Sequence, residues 1–451
     1  MDIFRHIELG PPSVVAVSPP KYGDDPDGKW WGFFQFPDLW RGNDGALYLA
    51  VNVGADSTVG EHEPTLFFSS KDGGRIWQTA SLEDMDLTPQ PIRLPDGSEV
   101  AFGETRYLYH VQAITPAKKT YSAKKLGLKP LSGPVLSPYK VTESVYYNYN
   151  TVPESLRRFP VAWRRSSDAP WQKHFGTIDM PDLVLTASAR DGWWDANGKF
   201  EWTEKGHEFT LPVPQDPATM LALPDGTLLW ALASQNPKVM DRRCGQVACL
   251  ASRDRGQTWR VRGFVANDTA LATWGYVGEQ SLARMPDGDL LCVVRTKCSN
   301  EAGDTHYLAA ARSADNGFTW STPAAIAEFS VTPHLLCLEN GAVALVYGRP
   351  GVHVKTSTDS GRTWSESVPL VGPSEKDLLA MPLAEWWRIR HDFSCANTSV
   401  VAAVPDRFLV AYSDFRHFDA AGLPCKAIKV QAVVVTRNEA QGGRLRQFDN
   451  Q

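Results

Sequence analysis

Four copies of one eight-residue pattern decide the fold of this chain. Three of them read SRDRGQTW (residues 252–259), SADNGFTW (residues 313–320) and STDSGRTW (residues 357–364), and an earlier copy, SKDGGRIW (residues 70–77), replaces only the Thr. In each copy the Asp and Ser side chains can bond backbone groups across a bend, the Gly adopts a conformation that other residues avoid, and the Trp covers the turn. The pattern therefore predicts the same hairpin turn four times.

A second turn precedes each of these octets. It is an Asp-Gly or Asn-Gly pair followed by an apolar strand, as in NDGALYLAV at Asp44, PDGTLLWAL at Asp225, PDGDLLCVV at Asp287 and ENGAVALVY at Asn340. Turn and octet together make one meander of short antiparallel strands. From Asp225 onward this turn recurs after 62, 53 and 66 residues, the last time at Asp406. That interval is typical of the four-stranded blades of a β-propeller.

The repeats predict an all-β chain: one β-propeller of four-stranded antiparallel blades that occupies residues 1–451 as a single domain. Six blades are favoured and seven are left open, because the 129 residues between Asp96 and Asp225 hold either one blade with a large insertion or two blades. An insertion or extra blade is therefore expected within about residues 98–215. Sustained helical periodicity is lacking, so helices should be short, with candidates at residues 151–158 and 374–390.

Charge and composition exclude several classes of partner. Forty-six basic residues stand against 51 acidic ones, and no long run of either sign marks a nucleic-acid arm or a membrane patch. No leader peptide or membrane-spanning stretch is recognised, so a cytoplasmic protein is expected from the chain as given, or a secreted or periplasmic one if the chain has been trimmed. The sequence says nothing about oligomeric state.

Cysteine spacing and glycine patterns predict neither a cofactor nor a metal. The seven cysteines are an odd number confined to the C-terminal half, and several lie in apolar runs, which indicates buried thiols rather than disulfides. Cys244 and Cys249 lack a second ligand pair at a recognised spacing, and no glycine-rich phosphate loop follows a strand.

The octets, and the order of the segments between them, resemble the sialidase or neuraminidase superfamily of Asp-box or BNR-repeat proteins. The resemblance covers most of the chain and is weakest from about residue 96 to residue 225. It implies a glycan or oligosaccharide substrate bound near the propeller axis. In GEQSLARMPDGDLLCVVRT, sialidases carry a Glu ahead of the turn and an Arg after the next strand, which correspond to Glu279 and Arg295. A further carboxylate-binding Arg would be Arg349.

The resemblance departs from the sialidase pattern at two places. Where sialidases have their first substrate-binding Arg, this chain has Gln35 in FQFPDL. Where they have their Tyr nucleophile, the segment HDFSCANTS has Asn397 and no Tyr, with His391 at its start. These differences argue against an ordinary sialidase mechanism.

The loop that holds the catalytic acid in sialidases corresponds to VNVGADSTVGEHEPTLFF. Asp56 is its nearest match, and Glu61, His62 and Glu63 are neighbours suited to acid-base chemistry. The leading hypothesis is an exo-acting, sialidase-like glycoside hydrolase that cleaves a bond at an acidic or polar sugar. Glu279 and one of these loop carboxylates would supply the catalytic pair. The expected substrate-binding residues are Arg295, Arg349, Gln35, His391 and Asn397.

Two other functions remain open at this point. A polysaccharide lyase acting on a uronate-containing glycan would use His110 or the tyrosines at 146–149 to remove a proton. A non-catalytic carbohydrate-binding propeller would use Trp-Trp pairs at residues 30–31, 193–194 and 386–387 as stacking walls.

Overall fold

The computed structural model describes residues 5–19, 34–53, 65–103, 119–136, 142–194, 200–214, 216–240, 244–267, 276–300, 303–328 and 330–437. Within these ranges the chain is almost entirely β. The first strands, β1 (Arg5–Leu9) and β2 (Ser13–Val17), pair with the last strand of the chain. The next four form one antiparallel sheet in chain order: β3 (Gln35–Arg41), β4 (Leu47–Asn52), β5 (Thr65–Ser70) and β6 (Gln78–Ala80).

Thirteen strands between residues 92 and 266 belong to one large sheet. They are β7 (Ile92–Arg93), β8 (Glu99–Phe102), β9 (Thr120–Ser122), β10 (Val135–Leu136), β11 (Thr142–Asn148), β12 (Phe159–Arg164), β13 (Gln172–Asp179), β14 (Val184–Trp194), β15 (Phe200–Thr210), β16 (Met220–Ala222), β17 (Leu228–Gln235), β18 (Gly245–Ser252) and β19 (Thr258–Ala266).

This large sheet contains two four-stranded antiparallel units and five further strands. One unit is β7-β8-β12-β13 and the other is β16-β17-β18-β19. Parallel pairing of β13 with β19 joins the two units. The remaining strands run in the order β10-β11-β14-β15-β9 and are attached through β14 and β17. They lie in the part of the chain for which the sequence predicts an insertion or an extra blade, and that domain description stays a prediction.

Three more sheets follow, two of four strands and one of five. The first contains β20 (Tyr276–Arg284), β21 (Leu290–Asn300), β22 (Gly303–Ser313) and β23 (Ala324–Glu328), and the second contains β24 (Val331–Cys337), β25 (Val343–Gly348), β26 (Val352–Ser357) and β27 (Val368–Val371). The last contains β28 (Ser399–Val404), β29 (Arg407–Phe418) and β30 (Pro424–Arg437), and both β1 and β2 pair with β30, so the two ends of the described chain close the same sheet.

The α-helices are short, and they lie where the sequence predicts them. They are α1 (Glu154–Arg157), α2 (Glu375–Ala380) and α3 (Leu383–Ile389). Ser374 caps helix α2. Its hydroxyl oxygen accepts a hydrogen bond from the backbone N–H of Asp377 at 3.2 Å, and this satisfies one of the free donors of the first turn.

In the part of the chain that the structure describes, no helix has the length and apolar character needed to cross a membrane.

The octets form the predicted turn. In the copy at residues 252–259 the Ser252 hydroxyl donates to Asp254 at 2.7 Å and accepts from the Gly256 N–H at 2.9 Å, while Trp259 Nε1 donates to the Gly256 carbonyl at 3.1 Å. Gly256 has a φ of 84°, in the left-handed region that glycine favours. The other three copies repeat the Ser–Asp and Gly–Ser hydrogen bonds.

Apolar layers lie between neighbouring sheets. Leu49 of the first sheet packs with Leu409 and Ile428 of the last, and Leu291 of the β20–β23 sheet packs with Leu345 of the next. Face-to-face packing of this kind is how the sheets of a propeller bury the apolar faces of their strands. The all-β fold of four-stranded antiparallel sheets is thus confirmed as propeller-like, and the number of blades stays a prediction.

Free thiols account for all cysteines whose side chains the structure describes. Five are buried, as predicted: Cys244, Cys249, Cys292, Cys395 and Cys425. Cys337 is exposed, so the prediction of a buried thiol is wrong there. It lies near the end of β24, where its Sγ donates to the carbonyl of Arg284 at 3.1 Å. The side chain of Cys298 lies outside the described residues.

Replacing Trp259 should destabilise the fold far more than replacing Trp320 in the same position of another octet. Trp259 is fully buried against Phe102 and Trp230, with ring centroids 5.8 and 5.7 Å away, whereas Trp320 is only partly buried. We expect Trp259→Ala to lower the free energy of unfolding by about 3–5 kcal/mol. Both variants lose an equivalent Nε1 hydrogen bond, so Trp320→Ala is the control. Equal losses in urea unfolding followed by circular dichroism would contradict the packing argument.

Candidate active site

Serine hydroxyl groups join the first strands of neighbouring sheets. The Ser281 hydroxyl on β20 accepts from the backbone N–H of Leu335 on β24 at 3.0 Å. Ser399 at the start of β28 accepts from the N–H of Leu39 on β3 at 2.9 Å and donates to its carbonyl at 3.1 Å. These strands therefore lie side by side, and residues near their starts are brought close together.

A β-bulge interrupts β3, β20 and β24 near their starts. Each bulge contains a non-glycine residue at positive φ: Phe36 at 56°, Glu279 at 44° and Thr332 at 49°. Each of these residues lies eight positions before the Asp or Asn of the following turn. Such a conformation costs on the order of 1–3 kcal/mol and concentrates at functional sites, and a bulge re-aims the side chain that it contains.

The carboxylate of Glu279 is held on both of its oxygens. Oε1 accepts from Nη1 of Arg295 on the adjacent strand β21. Oε2 accepts from the backbone N–H of Thr332 at 3.1 Å and lies 3.2 Å from the Thr332 hydroxyl. The side chain of Glu279 retains 28% exposure and that of Arg295 retains 17%, so the pair is accessible at one edge.

Arg349 and Asn397 extend this cluster onto the neighbouring sheets. Arg349 follows β25 directly, and its Nη2 donates to the carbonyl of Cys395 at 2.8 Å. Asn397 precedes β28, and its Oδ1 lies 3.0 Å from the Thr332 hydroxyl. The cluster therefore draws on two sheets and on the segment that leads into a third.

Charged groups act on one another within the cluster. Burial raises the pKa of the Glu279 carboxyl, but attraction to Arg295 and Arg349 and the hydrogen bonds to Glu279 outweigh burial and hold this pKa below its ordinary value. Burial lowers the pKa of Arg349, and repulsion from Arg295 and from Arg390 lowers it further. Glu279 is thus ionised at neutral pH and lies beside two guanidinium groups.

The structure brings together four of the predicted site residues and also describes two others. Glu279, Arg295, Arg349 and Asn397 belong to the cluster described above. Gln35 is fully buried opposite Asn52 in the first sheet, and neither end of its amide has a hydrogen-bond partner among the described residues. His391 is partly exposed and lies two residues after α3, in the segment that leads to Asn397.

Other predicted site residues lie outside the described residues and stay predictions. These are Asp56, Glu61, His62 and Glu63 in the loop before β5, together with His110 and the Trp pair at residues 30–31. The side chains of Trp193 and Trp194 also lie outside the described part of the chain.

Two groups of aromatic residues that the alternative functions would need have structural roles. Tyr146 and Tyr147 on β11 and Tyr149 just after it are buried, and the Tyr149 hydroxyl donates to the carbonyl of Arg157 at 3.2 Å. The Tyr147 hydroxyl lies 2.5 Å from Nδ1 of His207. These tyrosines belong to the core, and their use by a lyase stays a prediction. Trp386 is buried too, and Arg390 covers the ring of Trp387 at 4.4 Å.

Thr332 is a site residue that the sequence reasoning missed. Its signal is spacing: Thr332 precedes Asn340 by eight residues, as Glu279 precedes Asp287. The same spacing after the turn relates Arg295 to Asn52, because each lies eight residues beyond the Asp of its turn. Matching repeats position by position, rather than by residue type, would have found Thr332.

Comparison with known proteins supports this fold. Residues 184–395 match the family model described as the BNR repeat-like domain. A protein of unknown function from Dyadobacter fermentans has a similar structure, with a TM-score of 0.52 and 18% sequence identity over 95% of this chain and 99% of that one. No curated relative matches the chain.

Two solved glycosidases are more distant in structure. An α-L-arabinofuranosidase of Fusarium graminearum has a TM-score of 0.43 and 13% identity over 95% of this chain and 98% of that one. A Hadza microbial sialidase has a TM-score of 0.42 and 14% identity over 90% of this chain and 66% of that one. Likenesses at this distance carry no argument about activity.

The resemblance that the octets predict is therefore confirmed for residues 184–395, which match the BNR repeat-like domain. The propeller-like fold of the described residues agrees with it.

Glu279→Gln should destabilise the protein at neutral pH and have little effect in acid. Because the pKa of Glu279 is lowered in the folded state, its contribution to stability is present above the unfolded pKa and is lost as the pH falls through the folded pKa. Removing the negative charge of Glu279 from beside Arg295 and Arg349 should cost about 1–3 kcal/mol at pH 7. Thermal unfolding of both proteins between pH 3 and 8 measures this. A difference independent of pH would contradict the assignment of an ionised Glu279.

Proposed function

We propose that this protein is an exo-acting glycoside hydrolase that cleaves a glycosidic bond at an acidic sugar. The observation that carries the proposal is the ionised Glu279 carboxylate held against Arg295 and close to Arg349, at the starts of adjoining strands. Strained, bulged strands that aim a charged group toward a common centre are more typical of a functional site than of a structural ion pair.

The charge of the cluster favours an acidic substrate. Arg295 and Arg349 present two guanidinium groups beside Glu279, and Arg295 and Arg390 both repel Arg349. A substrate carboxylate would relieve this repulsion, and guanidinium groups match its geometry through paired N–H donors. The buried amide of Gln35 replaces a third guanidinium group with a neutral donor and acceptor, which suits a hydroxyl or amide of the same sugar.

The ionisation of Glu279 assigns its role in hydrolysis. Cleavage breaks the bond between the anomeric carbon and the leaving oxygen, adds water oxygen to that carbon and gives a proton to the leaving group. A carboxylate held ionised suits the base or nucleophile and not the acid. The proton donor is therefore assigned to the loop before β5, among Asp56, Glu61 and Glu63, with His62 beside them.

The first test is product analysis by mass spectrometry. The full chain is incubated with sialylated, uronate-containing and neutral glycans, and compared with Glu279→Gln and with Glu385→Gln, an exposed glutamate of α3. We expect water-added products from an acidic glycan, retained by Glu385→Gln and reduced at least about a hundredfold by Glu279→Gln, as for loss of a catalytic acid-base group.

Other products would point to other functions. Dehydrated uronate ends would assign a lyase. Binding of a glycan with no product from any member of the panel would assign a carbohydrate-binding propeller.

Replacing Arg349 by Lys should weaken recognition of the substrate carboxylate. Lysine keeps the charge but loses the planar pair of donors. Loss of a charge-assisted hydrogen bond of about 1.5–3 kcal/mol corresponds to roughly a 10- to 100-fold lower kcat/KM. This loss is expected for the acidic sugar and not for its methyl ester. Arg388→Lys, an exposed arginine in α3, is the control. Equal losses on acid and ester would contradict the role of Arg349.

A further inference from the structure

We propose that Thr332 is the positioning residue of this site: its backbone N–H and its hydroxyl fix the carboxylate of Glu279, and Asn397 in turn fixes the hydroxyl. The proposal deepens the function proposed above, on which its catalytic consequence rests. The contacts themselves do not depend on which glycan is cleaved.

The β-bulge in β24 makes the backbone N–H of Thr332 available. Pairing with β25 passes from Val331 opposite Gly348 to His334 opposite Val346, so Thr332 falls between paired residues and is left out of the ladder. Its N–H donates instead to Oε2 of Glu279 on the neighbouring sheet, at 3.1 Å. A buried N–H group requires a partner of this kind.

The conformation of Thr332 indicates that the side chain matters as well as the backbone. A φ of 49° is a genuine outlier for a β-branched residue, and glycine would adopt it without strain. Threonine adds a hydroxyl whose oxygen lies 3.2 Å from Glu279 Oε2 and 3.0 Å from Asn397 Oδ1. The strained residue is thus the one that bridges two predicted site residues.

The hydroxyl supplies one hydrogen for two neighbours. It donates either to Glu279 or to the amide oxygen of Asn397. If the Asn397 amide turns over, its NH₂ donates to Thr332 Oγ1 and the hydroxyl hydrogen is directed to Glu279. Asn397, Thr332 and Glu279 then form one directed chain of hydrogen bonds.

This chain should help to keep Glu279 ionised. Hydrogen bonds to the charged form of a carboxyl favour that form. Among the described residues, the other charged or titratable groups that act on Glu279 or on the neighbouring Arg349 are Arg295 on β21, Arg349 itself after β25, Arg390 after α3 and Cys395 before β28. Removing the hydroxyl should therefore raise the pKa of Glu279 toward its ordinary value.

The test compares Thr332→Val with Thr332→Ser in the full chain. Valine keeps the branched shape without the hydroxyl, whereas serine keeps the hydroxyl without the branch. The pKa of Glu279 is measured by NMR on protein labelled with ¹³C in the glutamate side-chain carboxyl, its signal being the one lost in Glu279→Gln. We expect an upward shift in Thr332→Val and no shift in Thr332→Ser. An unchanged pKa in the valine variant, or equal shifts in both, overturns the proposal.

A second variant keeps the proposal testable if Thr332→Val does not fold. Asn397→Ala leaves Thr332 in place but removes the group that orients its hydroxyl. It should move the pKa of Glu279 in the same direction, and no movement overturns the role of Asn397.

Activity provides a separate arm. On a substrate found by product analysis, Thr332→Val should lower kcat about tenfold with KM retained and move the acid limb of the pH profile upward, while Thr332→Ser restores both. If the protein has no activity on any glycan, the proposed function is wrong, and the NMR result still decides whether Thr332 positions Glu279. If the enzyme is active but the pKa of Glu279 is the same in the wild type and in Thr332→Val, only the positioning role is wrong.

Discussion

A left-handed residue inside an otherwise extended strand is the constraint on which the site depends. Without the bulges in β20 and β24, regular alternation would send successive side chains to opposite faces of each sheet, where they would enter the apolar layers. The bulges take Glu279 and Thr332 out of this alternation and let them meet between two sheets, where the Thr332 N–H donates to Glu279 Oε2 at 3.1 Å. Backbone strain is thereby coupled to the chemistry of one carboxylate.

The rest of the molecule supplies the rigidity that such strain requires. Apolar layers between the sheets and the serine bonds between first strands fix the spacing of neighbouring sheets. Because an unfavourable backbone conformation persists only when its surroundings over-determine it, the site belongs on packed strands rather than on a free loop. Arg349 is fixed in the same way, because its Nη2 donates to the Cys395 carbonyl.

Local turn chemistry explains why the fold could be predicted. Ser252, Asp254 and Gly256 make their hydrogen bonds within five residues of one another. Their turn can therefore be predicted from the local sequence, without knowledge of any distant residue. The parallel pairing of β13 with β19 is different, because it joins residues about 80 positions apart and merges two sheets into one of thirteen strands. Neither strand has a local sequence pattern that identifies the other as its partner. The contact depends on burial in the fold and not on turn chemistry.

By itself the sequence determined the turns, the four-stranded antiparallel sheets and the residue types around Glu279, because each depends on short-range spacing that repeats along the chain. The resemblance to the sialidase superfamily pointed to Glu279, Arg295 and Arg349. Only the tertiary structure decided that Thr332 holds Glu279, that Asn397 holds Thr332, and that Tyr146, Tyr147 and Tyr149 are core residues. These outcomes depend on which sheets become neighbours and on where a bulge releases a backbone N–H, and both are set by packing across the whole fold.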